Sequence, residues 1–235
     1  EISACLVGSE MCIRDRLRII DFGCGKSYLT FVLYHYLVNI LGIRVNMTGL
    51  DLKADVIAKC SAAAKRYGYD SLKFERGDIA EYDANAPADM IVTLHACDTA
   101  TDYALHNAIC RGARMILSVP CCQHELNGQI ASYRLRLITR YGIIKERFAA
   151  LMTDAIRANL LESRGYKTQV LEFVDLSHTP KNLLIRAIKK RPALDNAGRI
   201  ALDEAKALMN EFSLEPTLYS PVSYTHLTLP TTSRV

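Results

Sequence analysis

The sequence lacks the long apolar run that a membrane-spanning helix requires. Half of its 235 residues are hydrophobic, yet no stretch reaches the ~18 consecutive apolar residues that can cross a bilayer. A recognisable signal peptide, internal repeats and low-complexity segments are also missing. This composition predicts a globular chain with a sizeable core and no membrane partner.

The cysteines lack the regular spacing of a disulfide framework. Eight are present, and two of them, Cys121 and Cys122, are adjacent. Such an arrangement is typical of reduced thiols in a cytosolic protein. We therefore expect a cytoplasmic location.

A strong excess of one charge is missing as well. The formal net charge is +4, which permits RNA binding without demanding it, and no DNA-specific motif is present. Five basic residues cluster in "YRLRLITRYGIIKER": Arg134, Arg136, Arg140, Lys145 and Arg147. Such a cluster predicts either an RNA-facing patch or a solvated helix face.

Both ends of the chain differ in character from the rest. Written back as codons, "LVGSEMCIRD" and "PVSYTHLTLPT" contain a pair of reverse-complementary stretches. Opposite ends of a natural gene have no reason to match in this way, whereas transposase-derived library adapters do. We expect residues 1–16 and 221–235 to be adapter-derived and exclude them from reasoning about the fold.

The stretch "DFGCGKSYLTF", Asp21 to Phe31, lacks the glycine that a phosphate-binding loop needs. A loop ending at Gly25-Lys26-Ser27 would place that glycine at position 20, which is Ile20. The dinucleotide fingerprint fails too, because Tyr28 occupies the place of its third glycine. An NAD-dependent oxidoreductase would have to tolerate this tyrosine. What remains is a strand, an acid, two glycines and a helix.

Short β-rich segments alternate with helical ones along the chain, which indicates a largely parallel sheet covered on both faces. Ser27 is predicted to cap the first helix, over residues 27–41, and Thr99 with Asp102 approximates a capping box for the helix after the fourth strand. A linker and a C-terminal helix occupy residues 191–220. The predicted strands span 17–22, 44–52, 71–79, 88–96, 112–120, 167–176 and 181–190, with helical segments over 54–68, 125–165 and 199–212.

Five strands separated by helices, followed by two strands joined by "SHTP", resemble the class I S-adenosylmethionine-dependent methyltransferases. The resemblance covers residues 17–190. It implies an α/β, Rossmann-like fold with a seven-stranded, mostly parallel sheet whose last strand is antiparallel. It also implies S-adenosyl-L-methionine as cofactor.

Candidate cofactor-binding residues lie at the ends of the first three strands, where ligands bind in open α/β sheets. Small residues at the first strand end let the methionine part of the cofactor lie against backbone. The second acid can accept ribose hydroxyls, and the family places the third near the adenine amino group. The candidates are Asp21, Gly23, Cys24, Gly25, Asp51, Leu52, Asp78 and Ile79.

Polar side chains that could hold or activate a methyl acceptor follow the fourth and fifth strands and the final hairpin loop. His95, Asp98, Gln123 and His124 are the candidate catalytic residues, although no clear general base stands out. The same rim also contains Cys97, Cys121, Cys122 and His178.

"LHACDTATDYAL" and "VPCCQHEL" resemble the H-x-C-G-x-A-T-D and C-C-x-H signature of acceptor-stem tRNA 2′-O-methyltransferases and of a related, less characterised group. Asp98 replaces the glycine of the tRNA enzymes. The [DN]-P-P-[YF] motif of several adenine and glutamine N-methyltransferases is absent. Cytosine-C5 chemistry by Cys97 and Cys121 lacks the usual preceding proline.

The cysteine and histidine residues of this rim allow three interpretations. They pack beneath the cofactor and position the acceptor, they take part in the chemistry, or His95, Cys97, Cys121 and His124 bind zinc. We expect no metal, because adjacent cysteines rarely ligate one ion and a CxxC knuckle is lacking.

The sequence therefore predicts a methyltransferase whose acceptor is RNA, either tRNA or rRNA. A protein side chain or a small molecule is the alternative acceptor. A non-catalytic S-adenosylmethionine-binding module is the alternative from a different functional class.

Overall fold

A single twisted sheet organises the chain in the computed structural model, which describes residues 16–82, 86–94, 96–175, 179 and 182–224. Every strand lies within its predicted segment or starts one residue before it. The strands are β1 (Leu17–Phe22), β2 (Val45–Asp51), β3 (Leu72–Arg76), β4 (Met90–Thr93), β5 (Met115–Ser118), β6 (Tyr166–Glu172) and β7 (Leu183–Lys189).

The order of the strands across the sheet is β3-β2-β1-β4-β5-β7-β6. Strands β1 to β5 pair in parallel, whereas β7 runs antiparallel to both β5 and β6. The predicted α/β fold, with its last strand antiparallel, is confirmed. Because β1 to β5 are parallel, their carboxyl ends meet at one edge of the sheet, which is where the candidate site residues lie.

The α-helices of the described residues occur where the spacing of apolar residues changes from every second residue to every third or fourth. The first helix continues as a π-helical turn over Tyr36–Ile40, and a 3₁₀ turn spans Tyr133–Leu135. The α-helices are α1 (Tyr28–His35), α2 (Ala54–Arg66), α3 (Thr99–Cys110), α4 (His124–Gln129), α5 (Arg136–Thr139), α6 (Gly142–Ser163), α7 (Asn196–Phe212) and α8 (Tyr219–Tyr224).

The two predicted N-terminal helix caps, Ser27 and the pair of Thr99 and Asp102, are wrong. Neither helix has a side-chain cap, and the side chains of Ser27 and Asp102 bind other groups. Ser27 adopts a positive φ of 59°, and its hydroxyl donates to the Gly25 carbonyl at 3.2 Å instead of accepting a helix amide. Thr99 begins α3 after Asp98, and no side chain caps that helix. The Asp102 carboxylate binds Arg157 instead, a longer-range contact that local spacing does not reveal.

Alternate residues of each central strand serve two apolar layers. Ile20, Phe22 and Ile91 pack with α3, α6 and α7 on one face. Ile19 and Met90 pack with α1 and α2 on the other. Side chains alternate in direction along a strand, so a strand buried on both faces needs a continuous apolar run.

The last described helix crosses the boundary at residue 221, where we expect adapter-derived sequence to begin. Val222 of α8, and Leu218 just before this helix, are buried in the same core as α7. At the other end, only residue 16 of the expected adapter-derived segment 1–16 lies within the described residues. None of the helices in the described ranges combines the length and apolar character that crossing a bilayer requires.

Candidate functional site

The glycine turn after β1 is held against the end of β2 by backbone hydrogen bonds. The amides of Gly23 and Cys24 both donate to the Leu50 carbonyl, at 2.9 and 3.0 Å. Gly23 and Gly25 have positive φ values of 68° and 51°, which glycine adopts without steric cost. The turn therefore exposes backbone instead of side chains at the sheet edge.

Asp51 connects this turn to the second strand. Its Oδ2 accepts the Gly25 amide at 2.9 Å, and its Oδ1 accepts the Lys53 amide at 2.9 Å. Each carboxylate oxygen has a second lone pair, and the residue is half-buried. Asp51 can thus hold the turn and still accept hydrogen bonds from a ligand. Leu52, beside it, is 61% exposed.

Asp78 lies two residues beyond β3 at the same edge. Its Oδ1 accepts the Ala80 amide at 2.9 Å, and the residue is exposed. The neighbouring Ile79 is buried, and its carbonyl accepts a hydrogen bond from Asn107 of α3. The Asp78 carboxylate thus retains acceptor capacity, while Ile79 contributes an apolar contact beneath it.

Asp21 and Cys24 lie deeper than their neighbours. Asp21 is only 3% exposed, and its Oδ2 accepts the Thr30 hydroxyl at 2.5 Å. Burial raises the pKa of its carboxyl to about 7; the Thr30 hydrogen bond opposes this rise and the Asp51 charge adds to it. Burial likewise raises the pKa of the Cys24 thiol to about 12. These two side chains support the turn from below.

Gly49 of β2 leaves the space that Cys24 occupies. A Cβ on Gly49 would lie 3.1 Å from the Cys24 Sγ and 2.6 Å from the Phe74 ring. The absence of a side chain there lets the turn pack directly on β2. This residue belongs to the support of the site, and the motif "DFGCG" alone does not reveal it.

Asp98 joins the loop after β4 to the loop after β5. Its Oδ1 accepts the Glu125 amide at 3.1 Å, and its carbonyl accepts Arg157 at 2.9 Å. Its φ of 54° is rare for a residue other than glycine, and asparagine and aspartate tolerate positive φ better than most residues. His95 lies outside the described residues, as does His178 of the final hairpin loop.

Gln123 and His124, the other two candidate catalytic residues, diverge at the start of α4. Gln123 is buried, and its amide nitrogen donates to the Asp154 Oδ2 at 3.1 Å. His124 is exposed at the first position of α4. Of these two residues, only Gln123 points into the protein interior, whereas His124 faces solvent.

A buried ion-pair network lies behind Gln123. Arg157 of α6 binds both oxygens of Asp102, at 2.9 and 2.8 Å, and one oxygen of Asp154, at 3.1 Å. All three side chains are at most 4% exposed. The sequence pattern predicts only a helical segment over residues 125–165 here and no ion pair. Asp154 and Arg157 are opposite charges three residues apart on the apolar face of α6, and this pair was the sequence signal for the buried network.

A cavity of about 620 Å³ opens between the end of β5, α6 and the β6–β7 hairpin. Burial raises the pKa of Asp154 to about 6, although Arg157 and Gln123 oppose that rise. A carboxyl group that titrates near neutrality can exchange a proton with a bound molecule. The polar residues of the cavity wall are Gln123, Glu146, Arg147, Asp154, Glu172 and Asn182.

Three thiols meet on the same rim. The Cys97 Sγ lies 2.9 Å from the Cys121 Sγ, which lies 3.6 Å from the Cys122 Sγ. Burial, together with the neighbouring thiols of Cys97 and Cys122, raises the pKa of Cys121 to about 12. None of the six cysteines in the described residues forms a disulfide.

A comparison with protein-family models identifies the domain to which these loops belong. A family model described as "Methyltransferase domain" matches residues 6–129, from β1 through the candidate catalytic loops. The chain belongs to the methyltransferase domain family. The match includes the glycine turn, Asp51, Asp78 and the loops after β4 and β5, so these parts of the candidate site belong to the methyltransferase domain. It begins within the segment 1–16 that we expect to be adapter-derived.

Solved methyltransferase structures resemble this one at low sequence identity. A CMeT domain of the citrinin polyketide synthase is 19% identical, with a TM-score of 0.47, and covers 75% of this chain. An rRNA methylase from Streptococcus thermophilus is 12% identical, with a TM-score of 0.49 and coverage of 75% of this chain and 89% of its own. Coclaurine N-methyltransferase, bound to N-methylheliamine and SAH, is 14% identical, with a TM-score of 0.36 and coverage of 46% of this chain.

This chain spans about half of the citrinin synthase chain (47%) and about a third of the coclaurine N-methyltransferase chain (32%). No curated protein matches its sequence.

Proposed function

We propose that the methyl donor of this methyltransferase is S-adenosyl-L-methionine, bound across the ends of β1, β2 and β3. The observation that carries the proposal is the bond between the Asp51 carboxylate and the Gly25 amide. This bond positions an acid with free lone pairs beside a turn without side chains. The acid can accept hydrogen bonds from the ribose hydroxyls of the cofactor, and its methionine part can lie against the backbone of the turn.

Calorimetric titration of the chain with S-adenosylhomocysteine, NAD and ATP tests the cofactor. We expect binding of S-adenosylhomocysteine alone. Asp51→Ala should weaken it at least about tenfold, since a hydrogen bond to a charged group is worth ~1.5–3 kcal/mol. Asp203→Ala, at an exposed position of α7, is the matched control and should bind normally. A folded chain that binds only NAD or ATP would contradict the proposal.

We further propose that the acceptor is RNA, tRNA or rRNA, in line with the signature formed by "LHACDTATD" and "VPCCQHEL". The main support is the surface formed by residues 133–147. Arginines alternate there with Tyr133 and Tyr141, which are 83% and 47% exposed. Guanidinium groups neutralise phosphates, and exposed aromatic rings stack on bases. Arg147 belongs both to this surface and to the wall of the cavity beside β5.

In this proposal, RNA phosphates contact the 133–147 surface while the target group enters the cavity. Asp98 holds the two catalytic loops together, and Gln123 presents its amide at the cavity wall. His95 and His124 complete the candidate set. Methyl transfer is an in-line displacement at the sulfonium, so these residues act mainly by positioning the acceptor.

Transfer of tritiated methyl groups to RNA and protein fractions tests the acceptor. We expect label in tRNA or rRNA, reduced by Arg136→Ala and Arg140→Ala on the proposed surface. Arg199→Ala, exposed on α7, is the control for removing one positive charge and should leave transfer unchanged. Label that appears only in protein or in small molecules would contradict an RNA acceptor.

One observation favours the second candidate, a cationic group on a protein side chain or small molecule. The cavity wall contains three acidic residues, Glu146, Asp154 and Glu172, and a single arginine. A carboxylate-rich cavity attracts cations and repels phosphate. If the chain binds S-adenosylhomocysteine but labels no cellular fraction, it acts instead as a non-catalytic binding module.

A further inference from the structure

Three sulfur atoms from two separate loops converge at the edge of the sheet where the carboxyl ends of β4 and β5 meet. Cys97 follows β4, whereas Cys121 and Cys122 follow β5. The three Sγ atoms all lie within 4.8 Å of one another. Since β4 and β5 are parallel neighbours, the pairing of the strands brings the two loops together.

Hydrophobic packing does not account for this cluster. Free cysteines that serve as small apolar residues are among the most buried side chains. Here Cys97 is exposed, and Cys121 and Cys122 are only half-buried. Thiol groups are also weak hydrogen-bond donors and acceptors, so their mutual contacts contribute little to stability. The cluster has the chemistry of a ligand set that an ion can reach from solvent.

The distances between the sulfur atoms suit a tetrahedral metal ion. A zinc–sulfur bond of ~2.3 Å and a tetrahedral angle place two sulfur ligands ~3.8 Å apart. Cys121 and Cys122 are already 3.6 Å apart. The Cys97 and Cys121 sulfurs, 2.9 Å apart, would have to separate by roughly 1 Å to reach that spacing. The exposed Cys97 side chain has room for this change.

The sequence-based objection to a metal site does not hold in this geometry. Adjacent cysteines rarely share an ion because successive side chains commonly point apart. In the loop after β5, however, the sulfur atoms of Cys121 and Cys122 lie on the same side. The Asp98 carboxylate nearby is engaged by the Glu125 amide. Three thiols are therefore available as ligands, whereas the zinc site considered in the sequence analysis consisted of His95, Cys97, Cys121 and His124.

We propose that Cys97, Cys121 and Cys122 bind a zinc ion through three thiolates, with a fourth coordination position open to solvent. On binding, each thiol loses its proton to solvent and each sulfur forms one bond to the metal. Thiolates are soft ligands that suit zinc. Zinc sites with three protein ligands keep their fourth position for water or another ligand.

Cobalt substitution in the full-length chain tests the site without relying on methyl transfer. The chain is kept reduced, stripped with a chelator and titrated with Co²⁺ and then Zn²⁺. We expect one Co²⁺ that gives an intense sulfur-to-cobalt charge-transfer band, and one equivalent of Zn²⁺ should abolish that band. The spectrum reports thiolate ligation in the unmodified protein, so it does not depend on whether a variant folds.

Single substitutions identify the ligands. Cys97→Ser and Cys121→Ser should each weaken zinc binding by more than the ~10–100-fold that loss of a second-shell partner costs. Cys110→Ser removes another exposed thiol, on α3, whose sulfur contacts His106. This control should retain the band and the affinity.

Two outcomes would overturn the proposal. The first is a reduced, folded chain that gives no charge-transfer band and in which Cys97 and Cys121 form a disulfide once reductant is removed. That result would mean that the two cysteines act as a redox pair. The second is unchanged zinc affinity in both Cys97→Ser and Cys121→Ser, which would place the ion elsewhere. Neither outcome bears on the proposed cofactor or acceptor.

Discussion

Replacing Asp21 by asparagine should make the stability of the protein less dependent on pH. Burial raises the pKa of the Asp21 carboxyl from 3.8 to about 7, with the Thr30 hydrogen bond opposing the rise and the Asp51 charge adding to it. Between these two values the folded chain keeps this proton and the unfolded chain does not. The free energy of unfolding must therefore fall as the pH rises through that window.

The size of the effect follows from the shift. Each pKa unit corresponds to ~1.4 kcal/mol, so a change from 3.8 to about 7 makes the group destabilising by ~4 kcal/mol once it is fully ionised. Because the side chain is only 3% exposed, solvent does little to screen the charge. Asparagine has the same shape, can accept the Thr30 hydrogen bond and does not titrate.

Urea denaturation of the wild type and Asp21→Asn over a pH series measures the difference. The variant should gain up to ~4 kcal/mol relative to the wild type as the pH increases from about 4 to about 8. Asp203→Asn, at an exposed position of α7, should show a difference from the wild type that hardly changes with pH. A constant difference between Asp21→Asn and the wild type would refute the argument, since it would mean that Asp21 ionises alike in both states.

Two further substitutions test the interior. Arg157→Met leaves the buried Asp102 carboxylate without its ion-pair partner and should lower the free energy of unfolding by ~3–5 kcal/mol in denaturant titrations; a loss below about 1 kcal/mol would mean that water reaches the carboxylate. Gly165→Ala should be strongly destabilising in thermal melts, because its φ is 84° and its Cβ would lie 2.1 Å from the Arg191 carbonyl oxygen. Gly128→Ala, within α4 and with open space around it, is the matched control and should be neutral or stabilising by up to ~1 kcal/mol.

The strands and the positions of the acids at their ends were predictable because their signals are local. The β1 strand occupies its predicted residues, 17–22, because a short segment rich in apolar residues and closed by a glycine turn favours a buried strand. Asp51 and Asp78 follow from the same reasoning, since the carboxyl ends of parallel strands share one edge. The helix caps failed because a serine or an aspartate can bind its own turn or a distant arginine with equal ease.

The sequence by itself determined the alternation of strands and helices, the glycine turn and the acids at the strand ends. These depend on side-chain periodicity and on backbone conformations that glycine alone adopts freely. Tertiary structure decided the remainder of the site. Arg157 meets Asp102 across 55 positions of the chain, and Cys97 meets Cys121 across 24. Burial, pKa values and the convergence of thiols arise only when the sheet brings such distant residues together.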